Sequence, residues 1–416
     1  MMVSTIDNLI GLGLLRQPRT VLFGPGQRTM LPRIVAPLGS HVLICTDERM
    51  ATTAEYRALQ SSLEAAGIDV HLFDRVQPDL PRGDIMTLQA DLAGHRIDVV
   101  IGLGGGSCLD MAKVASLVLA HGGDVRDYFG ENLVPGPVLP IITVPTTAGT
   151  GAEVSCIGVV YDEERGVKVG VASAHLEPSV AIVDPELTLS CPPGLTAATA
   201  ADALSHLVES FTDRAKNPSP EDLDAHLYVG KNVLTDIYCR AGIRLLAGAI
   251  ERVVDDPSDL GARSDMMLGA FCGGMALNTA GTSIAHAIQS PIGGLTHTSH
   301  GMGVGALLPY VTRYNLPVRV EVFAELAEDL GVYDPVAGAL ENAKAAITRL
   351  DGLLDALGVP RDLKALGLSA EQIDDVAERS LLSTRLIANN ARPLTKFDAV
   401  QILERAYEGD RGWWSL

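Results

Sequence analysis

The residues best equipped for chemistry in this 416-residue chain are carboxylates and imidazoles. Asp202 and His206 stand four apart in Leu195–Phe211, a stretch of helical periodicity, so their side chains share one face. Such a pair alone is also a common local ion pair. Downstream, His286, His297 and His300 place three of the ten histidines within 15 residues, in an otherwise apolar helical setting. One carboxylate with several imidazoles suits a divalent first-row metal such as Fe2+ or Zn2+, and not Ca2+ or Mg2+.

A second kind of chemistry is written in glycine. The run Gly102-Leu103-Gly104-Gly105-Gly106-Ser107 follows an apolar strand and precedes a helical stretch. Glycines let the backbone approach a pyrophosphate closely, and a helix N-terminus favours its charge. Ser107 and Asp110 fit an S-x-x-D capping box at the start of that helix. By itself the loop reads equally well as a tight strand–helix turn. In the usual dinucleotide fingerprint the glycines close the first strand and an acid follows about 20 residues later. Here the acid able to meet a ribose, Asp47, comes before the loop, and it reads equally as a solvated strand-end residue. A second polar loop, Pro145–Gly151, carries Thr146, Thr147 and Thr150 at the end of another strand. Two such loops leaving strand C-termini mark the edge at which α/β sheets bind ligands.

The elements that position these residues fall into two grammars. Short β-branched runs occupy Thr20–Phe23, His41–Thr46, Asp69–Phe73, Asp98–Leu103, Ile141–Val144, Ile157–Tyr161 and Val180–Asp184. Helical patterns such as Ala51–Ala66 and Asp110–Leu119 lie between them, which predicts a largely parallel sheet covered on both faces. After Asp184-Pro185 the apolar residues recur at helical spacing, in Leu195–Phe211, Asp224–Val254, Gly261–Asn278, Val318–Leu330, Pro335–Leu357 and Thr395–Tyr407. The breaker Cys191-Pro192-Pro193-Gly194 separates the two. The expectation is an α/β dinucleotide-binding domain over 1–190 and an all-helical metal- and substrate-binding domain over 191–416, with the cleft between them as the default site.

Composition narrows the function classes. Hydrophobic residues make up 47% and charged residues 20%, as in a globular enzyme. A net charge of -19 opposes nucleic acid and anionic membrane as partners. No run of about 18 apolar residues predicts a membrane span. The N-terminus carries Asp7 and lacks the basic start of a secretory leader. The six cysteines are far apart, with no C-x-x-C pair, as expected of reduced, packed thiols in the cytoplasm. Trp413 and Trp414 are expected to pack on the chain's own surface, with an oligomer contact as the alternative.

Read in order, the motifs resemble the iron-containing (group III) alcohol dehydrogenase family, within the dehydroquinate synthase-like superfamily that also holds glycerol dehydrogenase. They are Phe23-Gly24-Pro25-Gly26, Gly104–Asp110 with Ala112-Lys113, Pro145–Gly151, Asp184-Pro185-Glu186-Leu187, Thr196–His206, and Gly301 after His300. The resemblance implies that Asp202, His206, His286 and His300 are metal ligands. It implies a cofactor site of Gly104, Gly105, Gly106, Ser107, Asp110, Thr146, Thr147, Thr150 and Lys168, with Leu187 beside the same pocket. It places Asp47 against the adenosine ribose, favouring NAD over NADP. It further implies reversible hydride transfer between an alcohol and the aldehyde or ketone, with iron (or zinc) polarising the substrate oxygen, in a homo-oligomer, dimer or larger.

Departures from the family pattern affect the proton path and the substrate. Ser290 stands where many members carry a further histidine, Ala152 replaces a serine, Asp79 replaces a frequent asparagine, and Ile157 a polar residue. Ser290 and His297 are the polar candidates for proton release, and apolar Ala287, Ile288, Ile292 and Leu295 hint at a substrate with little charge. The alternatives are a maleylacetate reductase-like reductase, a hydroxyacid-oxoacid transhydrogenase, a dehydroquinate synthase-like lyase, and a non-catalytic metal-binding protein. The lyase would need Lys or Arg in the ligand motifs, and neither motif has one.

Overall fold

The computed structural model describes residues 13–415. Asp7 and the rest of the segment read against a secretory leader up to residue 12 lie outside the described residues. Among the described residues there are nine strands: β1 Thr20–Phe23, β2 His41–Cys45, β3 Asp69–Phe73, β4 Val99–Gly104, β5 Gly130–Glu131, β6 Ile141–Pro145, β7 Ile157–Asp162, β8 Val167–Ala172 and β9 Val180–Val183. Six of them form one sheet in the order β1-β9-β6-β4-β2-β3, parallel throughout. All seven strands expected from the sequence are present, with their ends shifted by at most one residue.

Alternation along β2 and β4 explains why their interiors are apolar. Leu43, Cys45 and Val100 enter one core cluster with the helix Gly106–His121, through Met111, Ala115 and Val118. Val42, Ile44, Val99, Ile101 and Leu103 enter another with Leu31, Val35, Tyr56, Leu59 and Leu63. Neighbouring residues point to opposite faces, and both faces are covered, so the buried positions of β2 and β4 are apolar. The sequence did not reveal β5 and β8, which join β7 in a small sheet ordered β5-β8-β7. There β7 and β8 run antiparallel, Ile157 opposite Ala172 and Asp162 opposite Val167. β8 was hidden because Lys168 and Gly170 interrupt its apolar pattern.

The chain divides into two compact units at Cys191 and Pro192. The first is Arg16–Cys191 with Asp224–Leu227, a short return fastened by Leu227 N donating to Glu131 and by Arg16 donating to the Leu227 carbonyl. The second holds Pro192–Leu223 and Tyr228 onward. Its centre is the helix Pro193–Thr212, buried from Thr196 to Thr212 except at Thr199. Alanines at 197, 198, 200, 201 and 203 let neighbouring helices approach it. The helices Val233–Asp255, Leu260–Ala280 and His300–Asp329 pack around it.

Several helix boundaries differ from the sequence-based expectation, each for a local reason. Asp224–Val254 is not one helix: Pro220–Ala225 ends, and Val233–Asp255 restarts where Asn232 forms a capping box with Thr235. Ala51–Ala66 is broken by Thr53, whose hydroxyl accepts from Tyr56 N. Val318–Leu330 is the second half of His300–Asp329, kinked at Arg319 just after Pro317. At the kink, Arg319 donates to the carbonyls of Thr212 and Asp213, closing the C-terminus of the central helix. All six cysteines are buried and free of disulfides. Trp414 packs under Arg313 and Lys344 of its own chain.

Candidate functional site

In the helical unit, three helices bring four side chains together: ligand atoms of Asp202, His206 and His286 all lie within 4.8 Å of one another, and His300 reaches Asp202. Asp202 and His206 come from one face of Pro193–Thr212, His286 from the first turn of Ile284–Thr296, and His300 from the start of His300–Asp329. The Asp202 Oδ1 atom lies 3.4 Å from His206 Nε2, 3.8 Å from His286 Nε2 and 3.6 Å from His300 Nε2. The His206 and His286 rings stack at 4.9 Å, and His300 tilts against His286 at 5.3 Å.

These spacings fit a shared ion better than mutual hydrogen bonds. Ligands about 2.0–2.2 Å from a tetrahedral metal stand about 3.3–3.6 Å apart, whereas N–H···O bonds are about 2.7–3.2 Å. Asp202 Oδ1 and His286 Nε2 are buried without a hydrogen-bond partner, and buried polar atoms are ordinarily satisfied. The donor set of one carboxylate and three imidazoles suits iron or zinc. The residues present therefore fit a divalent metal.

A residue that the sequence reading missed completes the site. Glu209, three residues beyond His206 on the same helix and buried, accepts from His286 Nδ1 at 2.5 Å. It also accepts from Ala285 N at 2.6 Å, Ser283 N at 3.0 Å and the Ser283 hydroxyl at 3.1 Å. Glu209 takes up Nδ1, so Nε2, which faces Asp202, is the nitrogen left to a metal. The available signal was the spacing 202, 206, 209, which puts all three on one helical face.

The electrostatics favour a cation. Burial pushes the Asp202 carboxyl up, but His206, His300 and His286 outweigh it and hold the acid well below its ordinary range. Burial likewise opposes Glu209 ionisation, and His286 with the Ser283 and Ala285 amides reverses that. Burial lowers His286, yet Glu209 and Asp202 raise it to about 9.

Close approach is needed to bring His300 in. A Cβ on Gly301 would lie 2.0 Å from the Ala198 carbonyl oxygen and 3.0 Å from Asp202 Cβ, so only glycine fits beside the ligand. Ser290, one turn beyond His286, is exposed, as is His297, which ends its helix in a left-handed conformation with φ 54°. Ala287, Ile288 and Ile292 are fully buried. Leu295, the fourth apolar residue of the segment, is half-buried.

In the α/β unit the two polar loops meet at the C-terminal ends of the adjacent strands β4 and β6, where Gly104 pairs with Pro145. Gly104 has φ 151°, and a Cβ there would lie 2.6 Å from Cys108 Sγ. A Cβ on Gly106 would lie 2.7 Å from Thr150 Cγ2, and one on Gly105 would touch Thr147. Asp47 stands at the end of neighbouring β2, its carboxylate 3.7 Å from the Gly104 Cβ position. Thr146 Oγ1 is buried without a hydrogen-bond partner. A glycine cradle at a helix N-terminus, an orphaned hydroxyl and an acid at the next strand suit a dinucleotide.

The capping box expected from Ser107 and Asp110 does not form. The helix begins at Gly106 with Gly105 as its N-cap, so Ser107 already lies in the first turn. Ser107 Oγ instead accepts from Asp79 N at 3.1 Å, and Asp79 pairs with Lys168 Nζ at 2.6 Å, which draws Lys168 to the loop. Asp110 accepts from Lys113 Nζ and Val159 N, tying the helix to β7. Leu187 is buried in the core cluster that holds Leu103 and Val144.

Comparison with known proteins follows the same division. The family model for iron-containing alcohol dehydrogenase matches residues 18–185, and that for the C-terminal part of the Fe-containing alcohol dehydrogenase family matches 196–407. An NAD-dependent methanol dehydrogenase of Bacillus methanolicus is 32% identical over 88% of this chain and 91% of its own length. The crystal structure of a 1,3-propanediol oxidoreductase superposes with a TM-score of 0.89 at 31% identity, covering 95% of this chain and all (100%) of its own. A sulfoacetaldehyde reductase from Bifidobacterium kashiwanohense, solved in complex with NAD+, gives a TM-score of 0.82 at 27% identity, covering 96% of this chain and 100% of its own.

Proposed function

This chain belongs to the iron-containing alcohol dehydrogenase family, and from that membership we propose how its residues carry out metal-dependent, NAD-linked alcohol oxidation and its reverse. The observation that carries the reading is the convergence of His206, His286 and His300 on Asp202, with Glu209 behind His286.

The four side chains hold the metal, with iron as the resident ion and zinc able to occupy the same donors. When bound, the ion supplies Lewis acidity toward an alcohol or carbonyl oxygen, and the nicotinamide accepts or returns the hydride. Three neutral imidazoles and one carboxylate leave a divalent ion net positive. Glu209 keeps the His286 proton on Nδ1, away from the ligating side. In the other unit, the Gly104–Ser107 loop binds the pyrophosphate through the backbone at a helix N-terminus, with Asp110 bracing that helix and Lys168 beside it. Thr146, Thr147 and Thr150 line the cofactor from the adjacent loop, and Leu187 supports it from the core. Asp47 binds the ribose hydroxyls and repels a 2′-phosphate, selecting NAD over NADP. Ser290, on the His286 face of its helix, and His297 are the exposed groups that pass the alcohol proton to solvent. Residues 1–190 thus serve the dinucleotide, and 191–416 the metal and substrate.

Relatives named for methanol and 1,3-propanediol support a small alcohol as substrate. Among the described residues no helix is long and apolar enough to cross a membrane, and six buried free thiols support a cytoplasmic setting. Exposed Ile237, Leu382 and Phe397 on the helical unit support a homo-oligomer.

The test is the absorbance of reduced nicotinamide, with a panel of small alcohols, NAD and NADP in turn, and protein reloaded with Fe2+ or Zn2+. Metal-dependent reduction of NAD that disappears in His286→Ala is the expected result. No turnover by protein that binds both metal and NAD would move the reading to a reductase or transhydrogenase. Failure to bind either would end it.

A further inference from the structure

At the opposite end of the parallel sheet from the glycine loops, a second group of ligand-type side chains converges. His41 and Asp69 open the adjacent strands β2 and β3 as direct register partners. His71 lies two residues along β3, on the face of Asp69. One carboxylate oxygen, Asp69 Oδ2, lies 3.4 Å from His41 Nδ1 and 3.5 Å from His71 Nε2. All three atoms lie within 4.8 Å of one another. The exposed ring of His95, from the loop before β4, packs edge-on against His71 at 4.9 Å.

We propose that His41, Asp69 and His71 form a second metal site, separate from the Asp202 site, for a divalent transition ion of the zinc type. His41 Nδ1 and Asp69 Oδ2 form a long hydrogen bond at 3.4 Å, while His71 Nε2 meets the same oxygen at 3.5 Å without one. Both distances exceed the usual N–H···O range of about 2.7–3.2 Å and match the edges of about 3.3–3.6 Å around a tetrahedral metal. Two imidazole nitrogens and one carboxylate oxygen select zinc, nickel or copper over calcium or magnesium. The three ligands sit on hydrogen-bonded strands, so little order has to be imposed on binding. Side-chain exposures of 32% for His41, 63% for Asp69 and 23% for His71 leave the site open to solvent, with water to complete the shell. An ion here would staple the edge strand β3 to β2, a place where sheets otherwise present unpaired backbone. It would take no part in hydride transfer.

The experiment is equilibrium dialysis of metal-depleted, full-length protein against zinc chloride, with metal counted per chain. Wild-type protein should take up two equivalents and His286→Ala one. The equivalent that His286→Ala retains should be lost from a His41→Ala/His71→Ala/His286→Ala protein. Asp69→Asn, a smaller change, should weaken it by more than about tenfold, since loss of even an outer-sphere partner costs about 10–100-fold. His41→Ala/His71→Ala protein reloaded with iron should oxidise alcohol at the wild-type rate. Uptake of a single equivalent that vanishes in His286→Ala overturns the proposal, as does retention of both in His41→Ala/His71→Ala. Zinc uptake dependent on His41 but indifferent to His286 would instead sink the catalytic-metal reading.

Discussion

Glu209 touches no candidate ligand atom, yet it decides which nitrogen His286 offers. Its four hydrogen bonds span His286, Ser283 and Ala285, so it fixes both the ring and the turn that carries it. Glu209→Gln preserves the volume and removes the charge. We expect it to weaken metal binding by about 10–100-fold without unfolding the protein, as outer-sphere partners of histidine ligands do. Chelator competition measures this, and wild-type affinity in the variant would assign Glu209 to packing alone. Residue types in the ligand set were readable from the spacing of Asp202, His206, His286 and His300. Glu209 was not read, because a glutamate on a helix is ordinarily a solvated side chain.

At the scale of elements, two contacts carry predictions. Gly301 lets the start of one ligand helix lie on the carbonyl of Ala198 in the other. Gly301→Ala must push the helices apart, which we expect to cost at least about 1–3 kcal/mol, the usual range for overpacking, and to lower metal content. A variant with wild-type melting and full metal loading would show that the helices have slack there. The second contact is Glu153, buried just after the threonine loop, whose carboxyl burial pushes up from 4.5 to about 7, with Lys113 opposing. The folded state therefore holds more protons than the unfolded chain between these values. Stability falls as pH rises through that window, by about 3 kcal/mol in all at about 1.4 kcal/mol per unit. Glu153→Gln should remove that fall, so urea denaturation should show the variant gaining on wild type between pH 4.5 and 7. Parallel pH profiles would contradict the assignment.

For the whole molecule, the metal is linked to folding. An ion that binds only the folded ligand cluster stabilises it by about 2.7 kcal/mol at a hundredfold excess over Kd. For a helical unit of this size that is a rise of about 5–10 °C in Tm. In His41→Ala/His71→Ala protein chelation should lower the thermal transition by that amount, and adding Asp202→Ala/His206→Ala should abolish the response. A melting temperature indifferent to chelator in wild-type protein would mean that the helices are held without the ion. On the proposed assignment each ligand would act on its own unit: metal on the helices around Pro193–Thr212, and dinucleotide on the sheet bearing Gly104 and Asp47.

The apolar runs of β2, β4 and β6 and the switch to helical spacing after Asp184 prescribed the α/β unit and the helical unit, because burial on both sheet faces leaves a continuous hydrophobic signature. The residue types of the metal site were equally legible, since imidazoles are scarce and their grouping within one segment stands out. What no one-dimensional pattern could state was distance between remote segments. Asp202 and His300 lie almost a hundred residues apart and meet at 3.6 Å because Gly301 removes a clash. Asp79 joins Ser107 to Lys168 through a turn whose conformation the sequence left open. His41 and His71 read as ordinary strand residues until the register of β2 on β3 set both beside Asp69. Local periodicity follows from each residue's own burial, whereas these meetings follow from packing that every neighbouring element helps to set.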